Sequence, residues 1–173
     1  MVDIVNATVS ATTQFVTWSQ TMVETTGYLG VFLVSLIGSA SIFFPVPAFI
    51  VIFAAGVFLN PWLVGLIAGI GSAIGELTGY LLGFGGRKVA ETKYEKQLEK
   101  TKKWVDRRGA FFVIFLFALT PLPDDIAGII AGVIEYDIKK FFIATLIGKI
   151  ILSVGIALAG FYGMNWILGL IAF

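Results

Sequence analysis

From Tyr28 to Gly86 the chain carries one charged side chain, Glu76, and from Phe141 to Phe173 it again carries one, Lys149. The apolar stretch 110–134 holds only Asp124 and Asp125. A water-soluble fold of this size has too little interior to hide three such blocks, so the expected solvent is the bilayer. Composition agrees: 58% of the 173 residues are hydrophobic and 13% are charged, about half the charge usual in a soluble domain.

The charges that remain are concentrated. Nine of the twelve basic residues lie between Arg87 and Arg108, with Glu91, Glu95, Glu99 and Asp106, for a local net charge of +5. Tyr94, Leu98, Thr101 and Val105 recur there at helical spacing, so the segment 87–108 reads as a basic amphipathic helix. Gly85-Gly86 and Gly109 are its expected stops. It is either a solvated connector or a helix resting on anionic headgroups of the cytoplasmic leaflet.

The absent residue types remove whole classes of chemistry. Without Cys or His there is no disulfide, no thiolate or imidazole metal site, no Ser-His-Asp triad and no cysteine nucleophile. The chain is therefore not expected to be an enzyme, and no cofactor or metal is expected. A net charge of +1 gives no field for nucleic acid. Residues 1–26 contain neither Lys nor Arg and no continuous apolar core, so a secretory signal is not expected there; an N-terminal interfacial helix is.

Two proline turns, Phe44-Pro45-Val46-Pro47 and Thr120-Pro121-Leu122-Pro123, interrupt the apolar blocks. A shift of 76 positions lays Pro45 on Pro121 and Pro47 on Pro123. It also lays Ala55-Gly56-Val57 on Ala131-Gly132-Val133 and Gly79 on Gly155. Shared prolines and glycines mark an internal duplication. Helices over 110–119 and 124–134 would be only about 15–17 Å long, half the ~30 Å hydrocarbon core. Each proline turn therefore reads as the tip of a re-entrant hairpin that enters and leaves by one face.

One hairpin plus one crossing helix is an odd number of crossings, so the second repeat must be inverted relative to the first. The expected fold is an all-α integral membrane protein with an inverted-topology repeat, forming a single membrane domain over 1–173. Its parts are re-entrant hairpin 1 (28–58), a transmembrane helix (61–86), the basic helix (87–108), re-entrant hairpin 2 (110–134), a second transmembrane helix (139–163) and a tail (164–173). Segment 87–108 and the pair Lys139-Lys140 fall on one side, read as cytoplasmic. A multi-pass protein of a prokaryotic plasma membrane is the expected setting.

Along the first crossing helix Gly71, Gly75, Gly79 and Gly83 recur every four residues, a face that lets another backbone approach closely. That contact could be intramolecular or could make a homo-oligomer. Glu76 projects from the same face, either as a buried structural partner or as a proton or substrate site. Asp124 and Asp125 open the second limb of hairpin 2, as helix caps, as a water-accessible site, or as both. Lys149 sits on a small-residue face and is expected to come close to Asp125 or Glu76. It would act as an ion-pair partner or as an anion-binding ammonium.

These motifs resemble the DedA superfamily, also called VTT-domain or SNARE-associated Golgi proteins. The likeness covers about residues 28–163. It rests on the Pro-x-Pro turn with Ala55-Gly56, then Gly71-x-x-x-Gly75-Glu76-x-x-x-Tyr80-x-x-Gly83, and on Pro121 with Ala131-Gly132, Phe141 and Gly148. Where fuller members carry acids around the first turn, this chain has Ala40 and Phe49; where they carry arginines around the second, it has Ala118 and Asp124. Asp125 with Gly148-Lys149 is more similar to the smaller YqaA-like branch. The resemblance implies lipid handling: flipping or scrambling of polyprenyl phosphate or phospholipid, coupled to ions. Export of a small solute and a non-transporting scaffold are the alternatives left open.

Overall fold

The computed structural model describes residues 21, 26–41, 48–120 and 125–171, with side chains throughout these except at 88–108, 125 and 164–171. Among the described residues the helices of known bounds are α1 (Tyr28–Ala40), α2 (Ala48–Phe58), α3 (Pro61–Arg108), α4 (Ala110–Leu119), α5 (Asp125–Val133) and α6 (Ile138–Ile171). The proline turns at Pro45, Pro47, Pro121 and Pro123 lie outside the described residues. So do the expected interfacial helix over 1–26, apart from positions 21 and 26, and Asp124.

The two long helices begin at well-formed caps. Asn60 Oδ1 accepts the backbone N–H groups of Trp62 (3.0 Å) and Leu63 (3.3 Å), and Pro61 occupies the first helical position, where no N–H is needed. Asp137 Oδ1 accepts the N–H of Lys140 at 2.9 Å and starts α6 in the same way. Segments Pro61–Arg87 and Ile138–Gly163 are each long and apolar enough to cross a membrane.

Two expected boundaries are absent. Gly85-Gly86 does not stop a helix: α3 continues unbroken through Arg108 for 48 residues, about 72 Å at 1.5 Å per residue. Only Gly27 and Gly109 among the described glycines have positive φ; Gly85 and Gly86 keep helical backbone, and the run of good helix formers after them carries the helix on. Gly109, at φ 71°, ends it. The apolar segment Pro61–Arg87 and the basic segment after it are thus one rod. Likewise α6 runs through Gly163 to Ile171 without a break.

The long helices α3 and α6 lie against each other and run antiparallel, since Gly65 meets Val154 and Gly69 meets Ile150. Short helix α1 runs parallel to α3: Gly71 faces Phe32 and Leu36, and Gly75 faces Leu36, Ser39 and Ala40. Helix α4 packs on α6, where Gly148 meets Phe115 and Ala118. The remaining short helices cross over. Helix α2 packs on α6 through Gly56–Ala157 and Phe53–Gly160, and α5 packs on α3 through Gly132–Tyr80 and Ile129–Gly83. Phe53 and Gly56 differ from Ile129 and Gly132 by 76 positions each, the shift seen in the sequence.

Three apolar clusters result. One joins Val31, Ile52, Ala55, Val64, Ala68 and Ala157, a second Tyr80, Ile114, Ala131, Phe141 and Ala144, and a third Val34, Ala48 and Val51. Large apolar side chains also cover the outside, among them Leu63, Ile74 and Leu81 on α3 and Ile143, Ile147 and Ile151 on α6. The glycine face of α3 is consumed inside the chain. A Cβ at Gly75 would lie 2.5 Å from the carbonyl oxygen of Leu36, whereas one at Gly155 would meet nothing within 4 Å. Gly75→Ala should therefore lower thermal stability by about 1–3 kcal/mol through overpacking. Gly155→Ala should raise it by about 0.5–1 kcal/mol through helix propensity. Melting of the purified variants in one detergent checks both.

Candidate functional site

Halfway along the α3–α6 contact, Lys149 Nζ lies 3.0 Å from Glu76 Oε1. Both side chains are buried, 7% and 3% exposed. The midpoints of the two apolar spans fall at about residues 74 and 150, so each charged group sits within about 3 Å of mid-span. Along both long helices the pair lies between the first apolar cluster and the second. Of the two partners foreseen for Lys149, Glu76 is one the fold supplies.

The local sequence explains the meeting. Glycines at 65 and 69 remove the side chains that would hold α6 away, and Lys149 needs that proximity to reach Glu76. Side chains on a helix lean toward its N-terminus. Because α3 and α6 run in opposite directions, Glu76 and Lys149 lean toward each other along the common axis. An ionised pair at this depth survives only with close, well-oriented partners.

Four hydroxyl side chains are buried as well: Ser35, Ser72, Thr145 and Ser153. Sequence reasoning missed Ser35, Thr145 and Ser153. Their signal was spacing, since Ser72 precedes Glu76 by four residues while Thr145 and Ser153 flank Lys149 by four on either side. Polar residues inside and isoleucines outside invert the pattern of a soluble helix.

A second ion pair was not foreseen. Arg87, at the end of the apolar part of α3, pairs with Glu135 just after α5. Glu135 has φ 56°; its N–H bonds to Gly132 O (3.1 Å) and the N–H of Tyr136 to Ala131 O (2.9 Å). This is the helix-ending turn that usually takes glycine. Tyr80 Oη also donates to Tyr136 O at 2.6 Å, so α3 holds this turn at two points.

Asp125 is the first residue of α5, the N-terminal position expected for it; its side chain, like Asp124, lies outside what the structure describes. Gly71 and Gly75 face α1, Gly83 faces α5, and Gly79 lies beside Gly128. Among the described residues no three acidic groups come together as metal ligands.

The exposed Asp137 cap has its carboxyl held below the usual carboxylate range, first by the Lys140 N–H and also by the charges of Lys139 and Lys140. A lowered native value means stability that is present above the unfolded carboxylate pKa and is lost as pH falls through the native one. Asp137→Ala should lower the melting temperature at pH 7, and the difference from wild type should shrink as pH falls below the usual carboxylate range. For the buried pair, Glu76→Leu or Lys149→Met alone should cost about 3–5 kcal/mol by stranding one charge, and the double variant should recover most of it. Melting of the four proteins checks that cycle.

The profile of the VTT domain family matches residues 46–162. Inner membrane protein YqaA of Escherichia coli (strain K12) is 30% identical over 107 residues, covering 62% of this chain and 72% of that protein. Vacuole membrane protein KMS2 of Arabidopsis thaliana is 32% identical over 105 residues, covering 51% of this chain; the match spans 25% of the plant protein. No solved structure matches.

Proposed function

Because this chain belongs to the VTT-domain family, we propose that it is a multi-pass membrane transporter of the DedA type. In this reading it flips or scrambles a lipid phosphate, polyprenyl phosphate or phospholipid, with proton coupling. The observation that carries the proposal is the Glu76–Lys149 pair, buried at mid-span between two antiparallel helices. An ammonium there can meet a phosphate oxygen once its carboxylate partner takes a proton. Asp124 and Asp125, at the head of α5, are the further candidates for substrate or proton binding. The reading needs no enzyme chemistry and no cofactor.

The finer architecture belongs to the same proposal. Helices α1, α2, α4 and α5 have 13, 11, 10 and 9 residues, each too short to cross about 30 Å of hydrocarbon. They are read as the limbs of two re-entrant hairpins, one in each half of an inverted repeat. The antiparallel α3–α6 pair and the repeated Phe53/Gly56 and Ile129/Gly132 contacts support this. The basic rod beyond Arg87, with Lys139 and Lys140, then marks the cytoplasmic face and meets anionic headgroups. A plasma membrane of a prokaryote agrees with the name of the bacterial relative.

The continuity of α3 favours one second reading. A charged arm of 21 residues rigidly continuous with a membrane span is suited to presenting a docking surface, as a non-transporting scaffold would.

Liposomes holding the pure protein should flip polyprenyl phosphate or phospholipid faster than empty ones, with a rate that differs between two pH values. The paired variant Glu76→Leu/Lys149→Met, which keeps its fold, should lose at least about tenfold in rate, as expected for loss of a charge-assisted contact. Flipping unchanged in that variant would overturn the assignment. A phenotype confined to charge reversal along 87–108 would favour the scaffold.

A further inference from the structure

The two short helices that flank the second proline turn stand on different long helices: α4 packs on α6, and α5 packs on α3. Between them lies a cleft of about 260 Å³. Ala110, Ile114 and Ala131 belong to its buried floor, and the partly exposed Phe117, Ile126 and Ile130 form its rim. Every lining residue is apolar except Tyr136, whose carbonyl oxygen already accepts the Tyr80 hydroxyl. From Ala110 to Phe117 the lining follows α4 for about 10 Å.

The first half of the chain closes the corresponding space with its own side chains. There α1 and α2 pack on each other, and Val34, Ala48 and Val51 form an apolar cluster. The 76-residue shift lays Val51 on Ala127, a cleft-lining residue with two fewer carbons. A gap walled by hydrocarbon forfeits dispersion contact unless something fills it.

The chemistry of the cleft selects the occupant. Water needs polar partners, and an apolar cavity of even about 150 Å³ stays dry while admitting hydrocarbon. Sites for whole drug-sized molecules begin near about 300 Å³, so this cleft suits one slender chain and not an entire lipid. One end of it is charged. Ile134 and Tyr136 line the cleft on either side of Glu135, which pairs with Arg87. Arg87 begins the segment 87–108 of net charge +5, and Asp137, next to Tyr136, is outnumbered by Lys139 and Lys140. A guanidinium has five donors, enough for a carboxylate and a phosphate oxygen together. An amphiphile with a hydrocarbon chain in the cleft and an anionic head at this end complements both surfaces.

We propose that the α4–α5 cleft is a lipid-binding site that holds one acyl chain of an anionic phospholipid, with the phosphate beside Arg87. The chain takes the place that Val51 and its neighbours fill in the first half, and it wedges α4 against α5. The inference rests on the reading of α4 and α5 as limbs within the bilayer and not on transport, because this lipid is held as part of the packing.

The test uses the purified full chain, stripped of lipid in detergent, and follows its melting as phosphatidylglycerol or phosphatidylcholine with the same acyl chains is added. A ligand bound only by the folded state stabilises it by mass action. Near saturation phosphatidylglycerol should raise the melting temperature by about 5–10 °C, and phosphatidylcholine by less than about half as much. Ala127→Leu and Val113→Phe fill the cleft from opposite limbs, and each should remove most of the phosphatidylglycerol response. Should one variant fail to fold, the other reads the same cleft. No response in wild type, an equal response to the two lipids, or a response kept by the variants overturns the site; the last would place the lipid on the basic arm or the outer surface. A wild-type dimer by light scattering that Ala127→Leu disperses would give the cleft to a second copy and overturn it as well. None of these readouts involves flipping, so failure here and failure of the transport reading are told apart.

Discussion

At Gly65 and Gly69 helix α3 has no side chain, and α6 comes directly against its backbone. In a bilayer the lipid tails are as apolar as the helix surfaces, so hydrophobicity alone does not drive two such helices together. Close dispersion contact and buried polar bonds must do so, and both depend on separation. The glycine contacts let Lys149 reach Glu76, and the pair in turn adds a directional bond to a contact that has little other specificity. A larger residue at 65 or 69 acts on both terms at once.

The short helices are organised by the same logic. Each half has one short helix packed on its own long helix and one packed on the long helix of the other half. Glycines mediate the closest approaches: Gly71 and Gly75 for α1, Gly56 and Gly160 for α2, Gly148 for α4, Gly83 and Gly132 for α5. The backbone thus serves as the packing surface in most of the molecule. Membership of the VTT-domain family fits this economy, since the Gly-x-x-x-Gly-Glu-x-x-x-Tyr-x-x-Gly stretch has a mechanical role at nearly every position. Tyr80, for instance, ties α3 to the turn after α5, the turn that Arg87 also holds through Glu135.

Polarity runs from outside to inside. Ile143, Ile147 and Ile151 point outward along α6 while Thr145, Lys149 and Ser153 point inward, and α3 repeats the arrangement with Ile74 against Ser72 and Glu76. Hydroxyls next to an ion pair in a low-dielectric interior strengthen one another, and the same dielectric makes any unsatisfied member costly. The proposed transport reading uses that sensitivity, because a change of protonation at Glu76 alters its bond to Lys149.

Much of the architecture was legible in the residues themselves. Apolar run length announced the two helices long enough to cross a membrane, since hydrogen-bonded backbone in lipid leaves few alternatives to a helix. Spacing put Gly71, Gly75 and Glu76 on one inward face, but the fold divides them: Gly71 and Gly75 meet α1, while Glu76 meets Lys149 on α6. What spacing could not reveal was how far Gly85-Gly86 would interrupt α3. A glycine pair has two allowed outcomes, and the flanking helix on both sides selects the continuous one. Nor could it choose between Asp125 and Glu76 for Lys149, find the Arg87–Glu135 tie, or show the cleft between α4 and α5. Those depend on which helices approach and in which direction, a property of contacts between residues far apart in the chain. Sequence determined the elements and their inward faces because those follow from local periodicity and solvent. Tertiary structure alone decided the partners, because a charge or hydroxyl buried at mid-span is satisfied only by what another helix brings to it.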